Sequence, residues 1–218
     1  MTTATSRNIM GDLPGKSKPN EFVLVAGHSD SWYSQGAQDD GVGIVTAMLV
    51  PKLLKKLNLI PKRTLRSVLF TGEEEGAFGS AAYVKAHSSE LSRYSAIIEA
   101  DLGCFKVFGY YFAKTTSQFG CILYEIMKLQ QSNIGAKVLN ATGTSFSEIS
   151  TDIYEFISKG VPGANLVGDD EKQRYFWYHH TLADTMSVVN SDLLDRCLAF
   201  VATTVYILAD LKDMVPRT

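Results

Sequence analysis

The chain is poor in the residues that would place it in several common classes. It has only three cysteines in 218 residues, Cys104, Cys121 and Cys197. They are widely spaced and form no CxxC pair. The expectation is therefore buried structural thiols, with neither a cysteine metal site nor a disulfide framework. No apolar run reaches the roughly 20 residues of a membrane span. Neither sign of charge dominates, with 21 Lys and Arg against 23 Asp and Glu, so the clustered basic face that nucleic acid requires is not expected. The densest basic stretch, Lys52 to Arg66, fits a solvated helix end and turn. Residues 1–18 are polar and lack the apolar core of a signal peptide. They are expected to be a loose lead-in to one domain over residues 19–218, whose 45% hydrophobic content is enough for a single good core.

What is present is an alternation of strand-like and helix-like segments. Glu21–Gly27, Thr64–Thr71, Tyr94–Asp101 and Ala164–Val167 are short apolar runs of the kind that form buried strands. Lys106–Phe112 and Ala136–Leu139 are weaker candidates. Between them lie helical patterns over Gly41–Leu57, Gly79–His87, Ser117–Gln131, Thr151–Lys159 and Ser191–Lys212. Pro51 is expected to kink or break the first, and Ser191 or Asn190 to cap the last. The alternation predicts an α/β fold with a mostly parallel mixed sheet flanked by helices on both faces.

In such sheets, ligand sites form beyond the carboxyl ends of the strands, and that is where the chemistry-bearing residues fall. His28, Ser29 and Asp30 follow the first strand, with Asp39 and Asp40 close behind. Glu73, Glu74 and Glu75 follow the second. The third ends in Glu99 and Asp101. After the fourth come His179, His180 and Asp184. Each taken alone has an ordinary explanation: a solvated turn, a structural histidine, a helix cap. Together they put carboxylates and imidazoles on one rim without cysteine partners, which suits a hydrolytic zinc site better than a structural one. Asp30 stands two residues from His28, where it could accept from that ring's second nitrogen.

The segments GHSDSW, GAQDDGVG, LFTGEEEGAFGS, IEADLG and YHHTLADT, in this order, resemble the two-zinc aminopeptidase and carboxypeptidase family, over nearly the whole chain from Val23 to Arg217. The resemblance implies two Zn2+ ions bridged by Asp39, one completed by His28 and Asp101 and the other by Glu74 and His180. It implies Glu73 as general base, a cis peptide after Asp39, and supporting roles for Asp30, Asp40 and Asp184. His179 is expected to be a neighbour of the site. The implied activity is hydrolysis of dipeptides or small peptides by an exopeptidase that is extracellular or lysosomal, and the resemblance also implies a homodimer.

The chain departs from the family between His28 and Asp39, where its loop is one residue shorter and Tyr33 replaces an acidic residue. Family members also carry further strands and a lid-like insertion ahead of the first motif, so the resemblance implies a partial catalytic domain. Two alternatives follow: a non-catalytic metal-binding fragment or pseudoenzyme, and a glutaminyl cyclase-like acyltransferase. Ser147–Asp152 and the Phe176-Trp177-Tyr178 run are expected to border the substrate pocket, although core packing explains the aromatic run equally well.

Overall fold

The structure is a computed structural model that describes residues 4–107, 109–112, 117–134, 151–168 and 173–217. The segment expected as a strand at 136–139 lies outside the described residues, as do positions 147–150.

Six strands form one sheet. They are β1 (Ile9–Leu13), β2 (Lys18–His28), β3 (Arg63–Phe70), β4 (Tyr94–Glu99), β5 (Gly109–Phe112) and β6 (Gly163–Val167), in spatial order β1-β3-β2-β4-β6-β5. The four central strands are mutually parallel, and β1 and β5 run antiparallel at the two edges. The carboxyl ends of β2, β3, β4 and β6 therefore open on one rim.

Side chains alternate along each strand and so feed two cores. Val23, Val25, Leu65, Ala96 and Ile98 pack under helices α1 (Val42–Lys56), α3 (Ser117–Ile134) and α6 (Ser191–Asp210). Phe22, Leu24, Ala26, Val68, Phe70 and Ile97 pack under α2 (Phe78–Ala86) and α4 (Ile153–Ile157). One short helix, α5 (Tyr175–Tyr178), leads into the histidine pair. No helix of the described residues is long and apolar enough to cross a membrane. At the start of α6, Asn190 is the cap, its side chain accepting from the Leu193 N–H at 3.1 Å.

Four expectations are corrected. First, α1 continues through Pro51 without a break. The Ala47 carbonyl that a proline cannot satisfy four residues later instead accepts from Ser67 Oγ of β3 at 2.6 Å. Second, the supposed loose lead-in contains β1. Its residues are mostly exposed, so no buried alternation marked it. It is held by backbone pairing to β3 and by the Asp12 carboxylate, which accepts from Arg66 Nε and Nη2 at 2.9 and 2.8 Å. Third, the basic stretch is not uniformly solvated. Lys52, Lys55 and Lys56 are exposed, but Arg63 and Arg66 are buried as strand residues paired with Glu21 and Asp12.

Fourth, Cys104 and Cys197 form a disulfide across 93 residues, while Cys121 is free. The bond ties the segment after Asp101 to α6. Nothing in the spacing could reveal it, because the two residues meet only once α6 packs against the sheet. Closing so long a loop restricts the unfolded chain, so reducing this bond is expected to lower the unfolding free energy by about 2–4 kcal/mol, read as a lower denaturant midpoint in reducing buffer.

Candidate metal centre

The rim residues converge. His28, the last residue of β2, is fully buried. Its Nε2 lies 3.2 Å from Asp39 Oδ1 and 3.2 Å from Asp101 Oδ1. The other oxygen of Asp39, Oδ2, faces the opposite way, 3.6 Å from His180 Nε2 and 3.7 Å from His179 Nε2. Glu74 Oε2 closes on His180 Nε2 at 2.8 Å. Asp39 thus stands between two donor groups, with one oxygen turned to each. The two histidines are alike in their distance from Asp39, and contact with Glu74 sets His180 apart from His179.

These separations bear on metal binding. Two ligand atoms each about 2.1 Å from a tetrahedral zinc lie about 3.4 Å apart. The 3.2 and 3.6 Å contacts around Asp39 are of that size. The donors are imidazole nitrogen and carboxylate oxygen throughout, a set suited to a catalytic divalent cation. Like-charged Asp39, Asp101 and Glu74 gathered this closely also need a cationic partner.

The supporting residues do more specific work than their spacing indicated. The Asp39–Asp40 peptide is cis. Asp184 accepts from the backbone N–H of Gln38 and of Asp39, at 2.8 and 3.1 Å, so it holds the backbone of the central aspartate and not an imidazole. Asp40 is buried, accepting from the N–H of His28 at 2.9 Å and of Gly43 at 2.8 Å. Its carboxylate fits only because positions 27 and 43 are glycine: a Cβ there would lie 2.6 and 2.1 Å from Asp40 Oδ2.

The role expected for Asp30 is corrected. Its backbone carbonyl, 3.0 Å away, meets His28 Nδ1. The carboxylate is 3.7 Å off and accepts instead from Gly72, Glu73 and Glu74 N–H groups at 2.8, 3.2 and 3.2 Å. One side chain thereby orders the turn that carries both glutamates. Those three donors lie far along the chain, so only the fold brings them to it.

Several residues were missed. Trp32 donates its N–H to Glu74 Oε1 at 2.8 Å and stacks its ring on His180 at 4.9 Å. Gln38 is buried, accepts from Cys104 N–H at 2.8 Å and donates to the Val188 carbonyl at 3.3 Å. Glu99 and Asp152, expected at the rim and at the pocket border respectively, are buried carboxylates beside the site. An open cleft of about 740 Å³ lies over the cluster and is walled by Glu73, Thr151, Tyr154, Glu155 and Phe176 among others. Phe176 is 59% exposed, so pocket lining describes it better than core packing. Trp177, equally exposed, is not core either.

Burial sets the protonation of this region. Removal from water, reinforced by Asp101, pushes the Glu73 carboxyl up to about 8. Burial pushes both Glu99 and Asp152 up to about 8, reinforced by Asp101 for Glu99 and by Glu99 for Asp152. Burial alone would lower the His28 imidazole, but Asp101, Asp30 and Asp39 push it well above its ordinary value. Burial, partly offset by Asp39, pulls His179 below its ordinary value.

The family model of peptidase family M28 matches residues 8–205. The chain belongs to peptidase family M28. Among its relatives, carboxypeptidase Q of Xenopus laevis is 38% identical over 215 residues, covering 98% of this chain and 44% of the relative. Carboxypeptidase Q of Mus musculus is 39% identical over 214 residues, with 98% and 44% covered. The chain thus spans less than half the length of these relatives.

Among solved structures, a peptidase M28 precursor from Shewanella amazonensis superposes with a TM-score of 0.85 at 29% identity, over 97% of this chain and 46% of that one. A zinc aminopeptidase from Bacillus subtilis gives 0.76 at 26% identity, over 95% and 51%. An Acidobacteriales bacterium glutaminyl cyclase gives 0.74 at 18% identity, over 93% and 73%, which shows a shared fold and nothing further.

The raised carboxyls give M28 residues of this chain a pH signature when metal is stripped. A carboxyl whose folded pKa is raised stabilises the fold below its unfolded value near 4 and loses that contribution as pH rises toward the folded value. A histidine lowered in the fold works in the opposite direction, but its effect is complete above about 6.5. The chelator-treated protein is therefore expected to lose thermal stability steadily from about pH 6.5 to 8. Glu99→Gln, which removes one of the buried acids, should flatten that slope in a calorimetric pH series.

Proposed function

We propose that this chain forms the catalytic part of a zinc-dependent exopeptidase that hydrolyses dipeptides or small peptides. The observation that carries the reading is the Asp39 carboxylate, with Oδ1 turned to His28 and Oδ2 to His180. A carboxylate presented in this way serves two cations at once. The ligand sets are then His28, Asp39 and Asp101 on one side and Glu74, Asp39 and His180 on the other. The zinc aminopeptidase among its structural relatives supports zinc as the metal. Bound there, a zinc pair lowers the pKa of a shared water and polarises the peptide carbonyl.

The protein's own groups supply the remainder. Glu73 lines the cleft, mostly buried, and its carboxylate makes no hydrogen bond to another described residue. It is adjacent to Glu74, yet the turn that Asp30 orders sends the two side chains to different tasks. Glu73 is placed to take a proton from the attacking water and return it to the leaving amine. Two nearby cations favour its ionised form and lower the value of about 8 that burial produces in the metal-free chain. Tyr154 and Phe176 narrow the cleft and displace water from the peptide. The Cys104–Cys197 disulfide supports an oxidising setting such as the extracellular space or an organelle of the secretory route.

Glu73→Gln should leave two zinc ions bound, by metal analysis of dialysed protein, while dipeptide turnover falls by at least about 10³-fold. Retained turnover would remove Glu73 from the role of base, and a doubly loaded wild-type chain inactive on every dipeptide would favour the pseudoenzyme reading. Asp184→Asn exchanges an acceptor for a donor beside the backbone of Gln38 and Asp39. It should weaken zinc binding about 10- to 100-fold in a competitive chelator titration.

A further inference from the structure

The cleft carries one carboxylate that the metal centre does not use. Helix α4 turns Ile153, Phe156 and Ile157 into the core beneath the sheet. That spacing commits the intervening Tyr154 and Glu155 to the opposite face, and both line the cleft. Among the described residues the Glu155 carboxylate has no ion pair or hydrogen bond, and it is partly exposed. The other acids of the cleft behave differently. Asp39, Glu74 and Asp101 are drawn into the histidine cluster, and Glu73 lies buried beside them.

The charge of the wall matters once metal is present. Two divalent cations offset Asp39, Glu74, Asp101 and an ionised Glu73. Glu155 is then the uncompensated charge, since the described residues of the wall include no lysine or arginine. The same cleft wall carries the rings of Tyr154, 41% exposed, and Phe176, 59% exposed. An aromatic surface ending in a carboxylate matches one kind of side chain in particular: a long apolar stem with a cationic tip. The rings cover the methylenes and attract the charge, and the carboxylate pairs with it.

We propose that Glu155, with Tyr154 and Phe176, is a specificity site that selects peptides carrying a lysine or arginine side chain and disfavours acidic ones. The site rests on the exopeptidase reading and deepens it. Glu155 acts on binding of the side chain and takes no part in the chemistry at the scissile bond.

The test compares kcat/KM of the zinc-loaded protein for Lys-Ala, Ala-Lys, Glu-Ala, Ala-Glu and Ala-Ala. Wild type should favour a lysine dipeptide over its glutamate counterpart. Glu155→Gln should reduce that ratio by roughly 10-fold, and Glu155→Lys should invert it, with zinc content unchanged in both. A ratio that stays the same in both variants overturns the proposal.

A second arm needs no turnover. Calorimetric titration of the same dipeptides into zinc-loaded Glu73→Gln protein should show tighter binding of the lysine peptide, lost when Glu155→Lys is added. Equal binding of lysine and glutamate peptides overturns the specificity site. Absence of hydrolysis of any peptide by the loaded wild type would instead count against the exopeptidase reading and leave the binding arm to decide on Glu155.

Discussion

The rim of this molecule is organised around a repulsion that has to be neutralised. Asp39, Asp101 and Glu74 are brought within a few Å of two or three imidazoles. The parallel sheet makes this possible, because β2, β3, β4 and β6 all end on the same side. In the metal-free chain the strain shows in opposite shifts: burial pushes the Asp40 and Asp101 carboxyls up, while contact with His28 draws Asp39 and Asp30 below the usual carboxylate range despite their burial. On the proposed reading, bound cations would turn the same groups into a ligand cage and offset the cost of burying their charge.

Beyond the carboxylate–imidazole contacts, the rim is kept in shape by backbone N–H groups that donate to carboxylates. Asp184 grips the amides before Asp39, Asp40 grips those of His28 and Gly43, and Asp30 grips the Gly72–Glu74 turn. Each sets carboxylate oxygens against backbone N–H groups in a directional contact. The ligand backbone is therefore fixed independently of the metal, and affinity does not have to supply the ordering of the loops. Glycines at 27 and 43 leave the space for Asp40 to lie where it does.

Much of this was legible in the residues. The strand pattern of EFVLVAG, SVLF, SAIIE and ANLV located the central sheet, because buried parallel strands are continuously apolar on both faces. The positions of His28, Asp39, Glu74, Asp101 and His180 just after those strands marked the rim. The edges were less visible. β1 leaves Ile9 and Met10 exposed instead of burying an alternating face, and it is held largely by backbone pairing, which leaves little trace in side-chain character. Arg63 and Arg66 looked like surface charge because the pattern does not record that Glu21 and Asp12 would neutralise them.

By itself, then, the sequence determined the type of sheet, the place of the site and the kinds of donor atom found there. These follow from local periodicity and from the rule that strands of one direction end on one side. Tertiary structure alone decided which partner each group meets. Asp184 reaches Gln38 and Asp39 across about 145 residues, Cys104 meets Cys197 across 93, and the Asp30 carboxylate accepts from the glutamate turn while its backbone carbonyl meets His28. Contacts over such separations depend on how helices and loops pack, and packing is a property of the folded whole that no local spacing encodes.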